Sequence, residues 1–242
     1  MIRITLAFLA TLALATPLRA AVDIQEVTSP GGITAWLVEE RSIPFVALEI
    51  QFLGGSSLDP EGKRGAVNLM TGLIEEGAGD MDARAFAAAR DGLAASYSFD
   101  SNNDSVSVSA QFLTENRDEA VALLREALVN PRFDQDAIDR VRAQVISNIR
   151  SDATDPNSIA GITFAARSYG EDDPYGTDRN GTVNSVSGLT REDMIAAHRA
   201  TLVRDRVYVG ASGDISAEDL GLILDQLLGD LPESNMPLVP DV

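Results

Sequence analysis

Apolar residues that alternate with polar ones are the feature of this 242-residue chain that most limits how it can fold. From residue 45 to residue 53 the alternation gives one apolar face, formed by Val46, Leu48, Ile50 and Phe52. Residues 105–112 repeat the pattern with a face formed by Val106, Val108, Ala110 and Phe112. A two-residue period is typical of a strand with one buried side. We therefore expect a sheet with one buried face, in which residues 94–100 pair with 105–112 across a turn at 101–104.

Two further short strands precede this sheet segment, and one follows it late in the chain. Residues 23–28 and 33–40 are β-prone and flank a turn at 29–32, which indicates a hairpin. Val207, Val209 and Ala211 predict a short strand near the C-terminal end. Residues 169–186 are polar and are predicted to form a long loop.

Helical periodicity fills most of the remaining chain. Helices are predicted over residues 62–76, 82–92, 135–152, 155–168 and 191–202, the last one after a capping box at Thr190 and Asp193. Another apolar stripe follows a candidate N-cap at Thr114 and comprises Ala120, Leu123, Leu124, Ala127 and Leu128. The last stripe follows Ser216 and comprises Leu220, Ile223, Leu224, Leu227 and Leu228. Without regular strand–helix–strand alternation, this order argues for an α+β fold, a mostly antiparallel sheet packed with helices.

The N-terminus has the three parts of an export signal. Met1 to Arg3 form a short basic start, residues 4–15 are apolar, and small residues follow up to a predicted cleavage after Ala20 or Ala21. The alternative is a buried N-terminal helix. We therefore expect a signal peptide at 1–20, a domain at 21–231 and a linker or tail at 232–242. The mature protein is expected in the periplasm or secreted, and not in a membrane.

Composition excludes several functions. The chain has no cysteine, so disulfides, thiolate metal sites and a cysteine nucleophile are excluded. The formal net charge is −18, which disfavours binding to nucleic acid or anionic lipid. The same charge would attract basic peptides, although solubility alone is a sufficient reason for it. Gly-x-Ser-x-Gly is absent, so no nucleophile elbow is indicated.

A set of ordered turns and helix starts carries a resemblance to a known family. The most specific segment is the run from Gly54 to Ala66, GGSSLDPEGKRGA, and further pieces lie at Asn130-Pro131, at residues 173–176, at Leu189-Thr190 and at Gly213-Asp214. Over residues 24–230 the chain resembles one half-domain of the M16 (pitrilysin/insulinase/processing-peptidase) zinc peptidases. The resemblance implies their LuxS/metallohydrolase-like fold. In that family the helix that follows the Gly-Ser and Asp-x-x-Gly turns carries the zinc motif His-x-x-Glu-His.

In this chain the positions that match the zinc motif are neutral. Two histidines four residues apart on a helix bind zinc, and the glutamate between them activates a water molecule. By the resemblance, Asn68 and Gly72 stand in place of the histidines, Thr71 in place of the glutamate, and Asn148 in place of a distant glutamate ligand. The chain has one histidine in all, so a zinc site with two histidines is excluded. We therefore expect no catalytic residue, no metal ligand and no cofactor.

Three other groups of polar residues have simple structural explanations. His198 lies between Ile195 and Leu202 on a predicted helix and is expected to be a partly buried structural residue. Glu75 and Glu76 are expected at a solvated helix end capped by Gly77, with a carboxylate metal site as the alternative. The polar run Asp100, Asn102, Asn103 and Asp104 lacks the glycine and closing glutamate of a calcium loop, so a hairpin turn is expected.

The resemblance implies a role in peptide degradation without catalysis by this chain alone. The leading hypothesis is a non-catalytic subunit that pairs with a zinc-bearing M16 partner and completes a chamber for peptide substrates. In the family, peptides add as a strand to a sheet edge, and residues 95–101 are the expected edge here. One alternative is a stand-alone peptide-binding or scaffold protein. The other is an active metallopeptidase with a different site.

Overall fold

A computed structural model of the protein describes residues 23–234 and contains one main sheet. The strands of this sheet are β1 Gln25–Thr28, β2 Thr34–Glu39, β3 Phe45–Leu53, β6 Ser96–Ser101, β7 Ser105–Leu113 and β8 Val207–Gly213, and a separate two-stranded ribbon contains β4 Gly77–Ala78 and β5 Met81–Asp82. The order across the main sheet is β1-β2-β8-β3-β7-β6. Only the β2–β8 pair in it is parallel, so the predicted mostly antiparallel sheet is confirmed.

Eight helices accompany the strands between residues 23 and 234, apart from short 3₁₀ turns. They are α1 Ala66–Thr71, α2 Ala83–Gly92, α3 Arg117–Val129, α4 Gln135–Asp152, α5 Pro156–Tyr169, α6 Val183–Ser187, α7 Arg191–Thr201 and α8 Ala217–Leu228. The predicted capping box of Thr190 and Asp193 is present at the start of α7, and Ser216 caps α8 by accepting the Asp219 N–H. Most of the predicted helices are therefore confirmed, with differences near α1, α3 and α6.

One face of the sheet forms the core. Its buried side chains include all the residues predicted for this face in β3 and β7, among them Phe52 and Phe112. They pack with the buried stripes of α1, α3 and α8 in a single apolar cluster. The opposite face carries polar side chains and one exposed stacked pair, Trp36 and Tyr208, whose ring centroids lie 6.0 Å apart.

The predicted helix over residues 62–76 is wrong in its length, because α1 contains six residues and ends at Thr71. After Gly72 the backbone bonds tighten, and Leu73 and Ile74 donate their N–H groups to residues three positions back, Met70 and Thr71. Glycine is a weak helix former, and the tighter turns bury Leu73 and Ile74 in the core. Glu75 and Glu76 therefore lie in turns beyond the helix, and Gly77 begins β4 instead of capping a helix.

Two smaller predictions also need correction. Thr114 is not the N-cap of α3, because the chain first makes a 3₁₀ turn over Thr114–Asn116 and α3 begins after Asn116. The Thr114 N–H instead donates to the Pro44 carbonyl at 3.1 Å and so extends the contacts at the end of the sheet. The predicted loop over residues 169–186 ends earlier, because Thr182 caps the short helix α6 with a reciprocal bond to Ser185.

The predicted signal peptide at 1–20 and most of the predicted tail at 232–242 lie outside the described residues. Pro232 accepts a backbone hydrogen bond from Arg204, and Ser234 bonds to Asp205. None of the helices within residues 23–234 combines the length and apolar character needed to cross a bilayer.

Candidate functional site

The start of α1 is built by a tight turn that only glycine allows. Gly54 follows the last residue of β3, and its φ is 99°, in the left-handed region. At Gly55 a Cβ atom would lie 2.1 Å from the Asn102 carbonyl oxygen, because this turn passes directly against the β6–β7 hairpin. The close approach explains the Gly-Gly pair and places residues 56–65 beneath the hairpin.

Asp59 fixes this turn to the beginning of α1. Its carboxylate accepts the backbone N–H groups of Gly65 and Val67, each at 2.9 Å, and its side chain has no exposed surface. Burial raises the pKa of Asp59 to about 6, although the two N–H donors and nearby Arg64 act in the opposite direction. The carboxyl group therefore serves as a buried cap for the first turn of α1.

Arg64 ties the same turn to the long loop that follows α5. Its guanidinium group donates to the carbonyl oxygens of Pro174 at 2.6 Å, Asp178 at 3.1 Å and Thr177 at 3.2 Å, and also to that of Ser56. A single side chain thus satisfies carbonyl groups from two segments that are more than 100 residues apart. Sequence patterns gave no signal for this role, because nothing local marks Arg64 as different from other arginines.

Gly65 completes the junction between the loop and α1. Its φ is 95°, and a Cβ atom there would lie 2.6 Å from the Asn180 carbonyl oxygen. The loop therefore closes directly onto the first residue before the helix. Asp59, Arg64 and Gly65 together fix the start of the motif helix to the loop and to the preceding turn.

The motif positions on α1 hold no metal ligand and no base. Asn68 is half-buried and has a neutral amide. Thr71 is buried, and its hydroxyl group donates to the Val67 carbonyl at 2.8 Å. Gly72 is exposed and has no side chain. Because the threonine hydroxyl is occupied by the helix backbone and has a pKa far above neutrality, it cannot activate water as a carboxylate does.

The fourth motif position lies on α4, which packs against α1. Val141 of α4 approaches α1 so closely that a Cβ atom on Gly72 would lie 3.3 Å from its Cγ1. Asn148 lies two turns further along α4, is exposed, and accepts a hydrogen bond from Gln144 at 2.9 Å. The helices that would carry a zinc site are thus in contact, while the side chains at the matching positions are neutral.

His198 has the environment of a structural residue. It is buried on α7, and its Nε2 lies 2.8 Å from the Leu128 carbonyl oxygen. The ring of Phe133 contacts it edge-on, with centroids 6.0 Å apart. Burial lowers the pKa of His198, so the ring is neutral at physiological pH and donates to Leu128. These contacts fit the predicted structural role.

Glu75 and Glu76 form ion pairs with different arginines. Glu75 forms an ion pair with Arg90 of α2 at 2.8 Å, and Glu76 forms one with Arg140 of α4. Each carboxylate thus has a different arginine partner, and Arg90 also pairs with Asp91 at 3.2 Å. Among residues 23–234 no three His, Cys, Asp or Glu side chains are grouped so that they could hold a metal ion.

The polar run at 100–104 forms the predicted hairpin turn. The Asn102 side chain accepts the backbone N–H groups of Asp104 and Ser105 at 2.7 and 2.9 Å. Asn103 accepts a bond from the Ser56 hydroxyl at 3.0 Å, and Asp104 accepts one from the Tyr175 hydroxyl at 2.6 Å. The side-chain oxygen atoms are therefore used to hold the turn and its neighbours together.

A polar cleft of about 670 Å³ lies away from the motif, between α7 and the connection from α3 to α4. Its lining includes Arg132, Arg191, Arg199 and the edge of His198, together with two aspartates. The lining has no serine, threonine, cysteine or lysine, and the histidine is committed to a backbone carbonyl. The cleft therefore lacks hydroxyl, thiol and amine nucleophiles, and the carboxylates in its lining are those of Asp80 and Asp134.

Comparison with known proteins decides the family. The sequence model of the insulinase family, peptidase family M16, matches residues 35–164. The chain belongs to this family. The non-peptidase homolog YmxG from Helicobacter pylori is 24% identical over 195 residues, which cover 81% of this chain and 45% of that protein.

Solved structures of M16 proteins share the fold. The peptidase M16 inactive domain from Pseudomonas fluorescens has a TM-score of 0.83 and 25% identity, over 91% of this chain and 53% of that one. The periplasmic protease PqqL from Escherichia coli has a TM-score of 0.77 at 13% identity, over 94% of this chain and 26% of that one. The M16 protein therefore matches an inactive domain and a non-peptidase homologue. These findings confirm the resemblance to a non-catalytic M16 member over one half-domain.

The M16 protein spans about half the length of the first relatives that it matches. It covers 45% of YmxG and 53% of the Pseudomonas fluorescens chain. Those proteins therefore contain roughly as much additional chain again.

Proposed function

We propose that this chain is a non-catalytic subunit that pairs with a zinc-bearing M16 chain and completes a peptide-degrading chamber. The observation that carries the proposal is the contrast at α1. Asp59, Arg64 and Gly65 hold the start of this helix in place, whereas Asn68, Thr71 and Gly72 supply neither zinc ligand nor base. A chain with this fold but without the zinc motif can still form part of a chamber wall, while the partner hydrolyses the peptide.

The open edge of the sheet supports a role in holding the substrate. Strand β6 is the last strand of the sheet order, and within residues 23–234 it pairs only with β7. Arg179 donates to the Ser101 carbonyl and so covers one end of this edge. The rest of β6 offers backbone groups to which an extended peptide can add as a further strand. An exported pair of this kind would act in the periplasm or outside the cell.

The test combines this chain with the zinc-bearing M16 chain encoded by the same organism. Both chains are purified separately and together, and cleavage of unstructured peptides is measured with and without a chelator. We expect cleavage by the pair, its loss on chelation, and none by this chain alone. A matched inactive partner, in which the motif glutamate is replaced by glutamine, shows that activity comes from the zinc chain.

Two results would contradict the proposal. One is chelator-sensitive cleavage by this chain alone, which would make it an enzyme with a different site. The other is full activity of the zinc chain without this chain, which would leave the pairing without a function.

The free edge of β6 also favours a second candidate, a stand-alone peptide-binding protein. In that case a monomer would bind extended peptides without any zinc-bearing chain. Binding of a fluorescent unstructured peptide to the purified monomer, with an affinity unchanged by the zinc chain, would favour this candidate over the first.

A further inference from the structure

The face of the main sheet that points away from the core carries an aromatic pair beside a glycine. Trp36 of β2 and Tyr208 of β8 are 45% and 50% exposed, and their rings stack with an interplanar angle of 21°. Gly210 lies next to Trp36 in the parallel pairing of β2 with β8. Two large aromatic side chains thus form a wall beside a strand position that has no side chain.

The fold itself does not require glycine at position 210. The φ angle of Gly210 lies outside the left-handed region, and a Cβ atom added there would have no other atom within 4 Å. Glycine weakens the interior of a strand, and it often marks a place where a ligand approaches the main chain closely. The space above Gly210 is therefore open to another molecule.

A carboxylate bounds this space on the side opposite the tryptophan. Glu49 of β3 is exposed and is paired with Gly210 in the antiparallel register. Its Oε2 accepts a hydrogen bond from the Ser109 hydroxyl at 2.7 Å, which orients the carboxylate. Neighbouring strands lie about 4.8 Å apart, so Trp36 and Glu49 flank Gly210 at a mutual distance of about 10 Å. These two residues, with Tyr208 and Gly210, define the Gly210 slot, which is wide enough for one side chain.

The charges on the sheet indicate what kind of group fits the slot. The six main-sheet strands that the structure describes contain no lysine or arginine. Three acidic residues lie on the open face of these strands, namely Glu26, Glu49 and Asp100, and Glu26 is paired directly with Trp36. Arg206, the residue before β8, is about 13 Å from the slot along the strand direction. A cation is therefore complementary to this surface.

An arginine side chain matches both walls of the slot. A planar guanidinium group stacks on aromatic rings and donates two parallel hydrogen bonds to one carboxylate, whereas an ammonium group acts as a point charge. We propose that the Gly210 slot binds an arginine side chain of an extended peptide, between the aromatic pair and Glu49. The peptide as the source of the arginine rests on the proposed function, and the inference adds the residue type that this chain selects.

Trp36 provides a direct readout, because it is the single tryptophan of the chain. The purified chain is titrated at low ionic strength with a capped, unstructured peptide that contains one arginine among glycine, serine and alanine. Matched peptides carry lysine or citrulline instead, and citrulline has the shape of arginine without its charge. We expect the arginine peptide to change the fluorescence of Trp36. Its affinity should be about tenfold higher than that of the citrulline peptide and about threefold higher than that of the lysine peptide.

Two variants test the two walls of the slot. Gly210→Val fills it, and because the added Cβ meets no atom within 4 Å and valine favours strands, thermal unfolding should not occur at a lower temperature. Glu49→Gln removes the charge and keeps an acceptor for the Ser109 hydroxyl. We expect each variant to bind the arginine peptide at least about fivefold more weakly.

Asp100→Asn is the matched control for charge. Asp100 is exposed on the same face but lies on β6, at the far edge of the sheet. This variant loses the same formal charge as Glu49→Gln, and its affinity for the arginine peptide should change by no more than about twofold. A loss as large as that of Glu49→Gln would overturn the inference, because net charge alone would then attract the peptide.

Three other outcomes would also overturn the inference. They are an unchanged Trp36 fluorescence with the arginine peptide, equally tight binding of the citrulline or lysine peptide, and unchanged affinity in Gly210→Val and Glu49→Gln. The titrations use this chain alone, so they do not depend on a partner. If the arginine peptide binds in the slot but the zinc-bearing chain gives no cleavage, the proposed pairing fails and the arginine site stands. If the pair cleaves peptides but arginine and citrulline peptides bind equally, the arginine site is wrong and the pairing stands.

Discussion

The two ends of α1 are held very differently by the rest of the molecule. At its start, Asp59 and Arg64 are shielded and bonded to backbone groups from separate segments, and Gly65 lies against the loop at Asn180. At its end, Gly72 is exposed and the helix tightens into turns that bury Leu73 and Ile74 in the core. The start is therefore held by polar bonds to separate segments, and the end by burial of apolar side chains. Neither set of contacts requires a metal ligand, which explains how the fold can persist without the metal site.

Replacing Arg64 should have the largest effect on this contrast. Arg64→Ala removes the donor that four carbonyl groups share, and it leaves the loop at 170–182 without its main attachment to the α1 turn. We expect a loss of roughly 3 to 5 kcal/mol in the free energy of unfolding, measured by urea denaturation. Arg41→Ala is the control, because Arg41 is exposed and its ion pair within residues 23–234 is with nearby Glu39, and it should cost at most about 0.5 kcal/mol. An equal loss of unfolding free energy in both variants would show that the hydrogen bonds of Arg64 do not stabilise the fold.

The second-largest effect is expected from Asp59, whose raised pKa makes the free energy of unfolding depend on pH. Its folded pKa of about 6 exceeds the ordinary value of 3.8, so the folded state binds this proton more tightly than the unfolded state. The free energy of unfolding should therefore fall as the pH rises from about 4 to 6 and then stay level, by up to about 3 kcal/mol from this group.

Asp59→Asn isolates this contribution, because asparagine keeps an acceptor for one N–H group but does not titrate. Other carboxyl groups, such as Asp155 and Asp193, have lowered pKa values and act in the opposite direction in both proteins. The difference in unfolding free energy between wild type and Asp59→Asn, measured from pH 4 to pH 7, should therefore decline with pH. A flat difference would mean that the Asp59 pKa is not raised.

A side chain at Gly65 should have a smaller but clear effect. Gly65→Ala places a methyl group against the Asn180 carbonyl and forces alanine into a left-handed backbone conformation. We expect a loss of about 2 kcal/mol in the free energy of unfolding. Faster proteolysis within residues 170–182 should accompany it, because the loop is displaced first. If proteolysis within residues 170–182 is not faster in Gly65→Ala, the substitution does not displace this loop.

The sequence predicted the sheet well because burial on one face leaves a two-residue period. Strand β3 and the β6–β7 hairpin follow that pattern nearly residue by residue, and β6 is the sheet edge as expected. The loss of the zinc motif could also be predicted from the sequence, since it depends only on residue type and order. The end of α1 could not be predicted, because Leu73 and Ile74 are as compatible with a helix as with buried turns. The role of Arg64 could not be predicted, because three of its carbonyl acceptors lie over 100 residues away in the chain. The exposure of α5 could not be predicted either, because apolar periodicity does not show what covers a helix.

The smallest effect is expected at Gly72, the other glycine that bounds α1. Its backbone has φ of −68°, which any residue adopts, and an added Cβ would lie 3.3 Å from the Cγ1 atom of Val141, so the two helices need to move apart by only a few tenths of an ångström. In Gly72→Ala, reduced freedom of the unfolded chain offsets this mild crowding. We expect the free energy of unfolding to change by no more than about 0.5 kcal/mol, under the same conditions as for Gly65→Ala. A cost as large as that at Gly65 would mean that both ends of α1 are equally constrained, and the loss of the motif would then require an explanation other than a weak structural role for these positions.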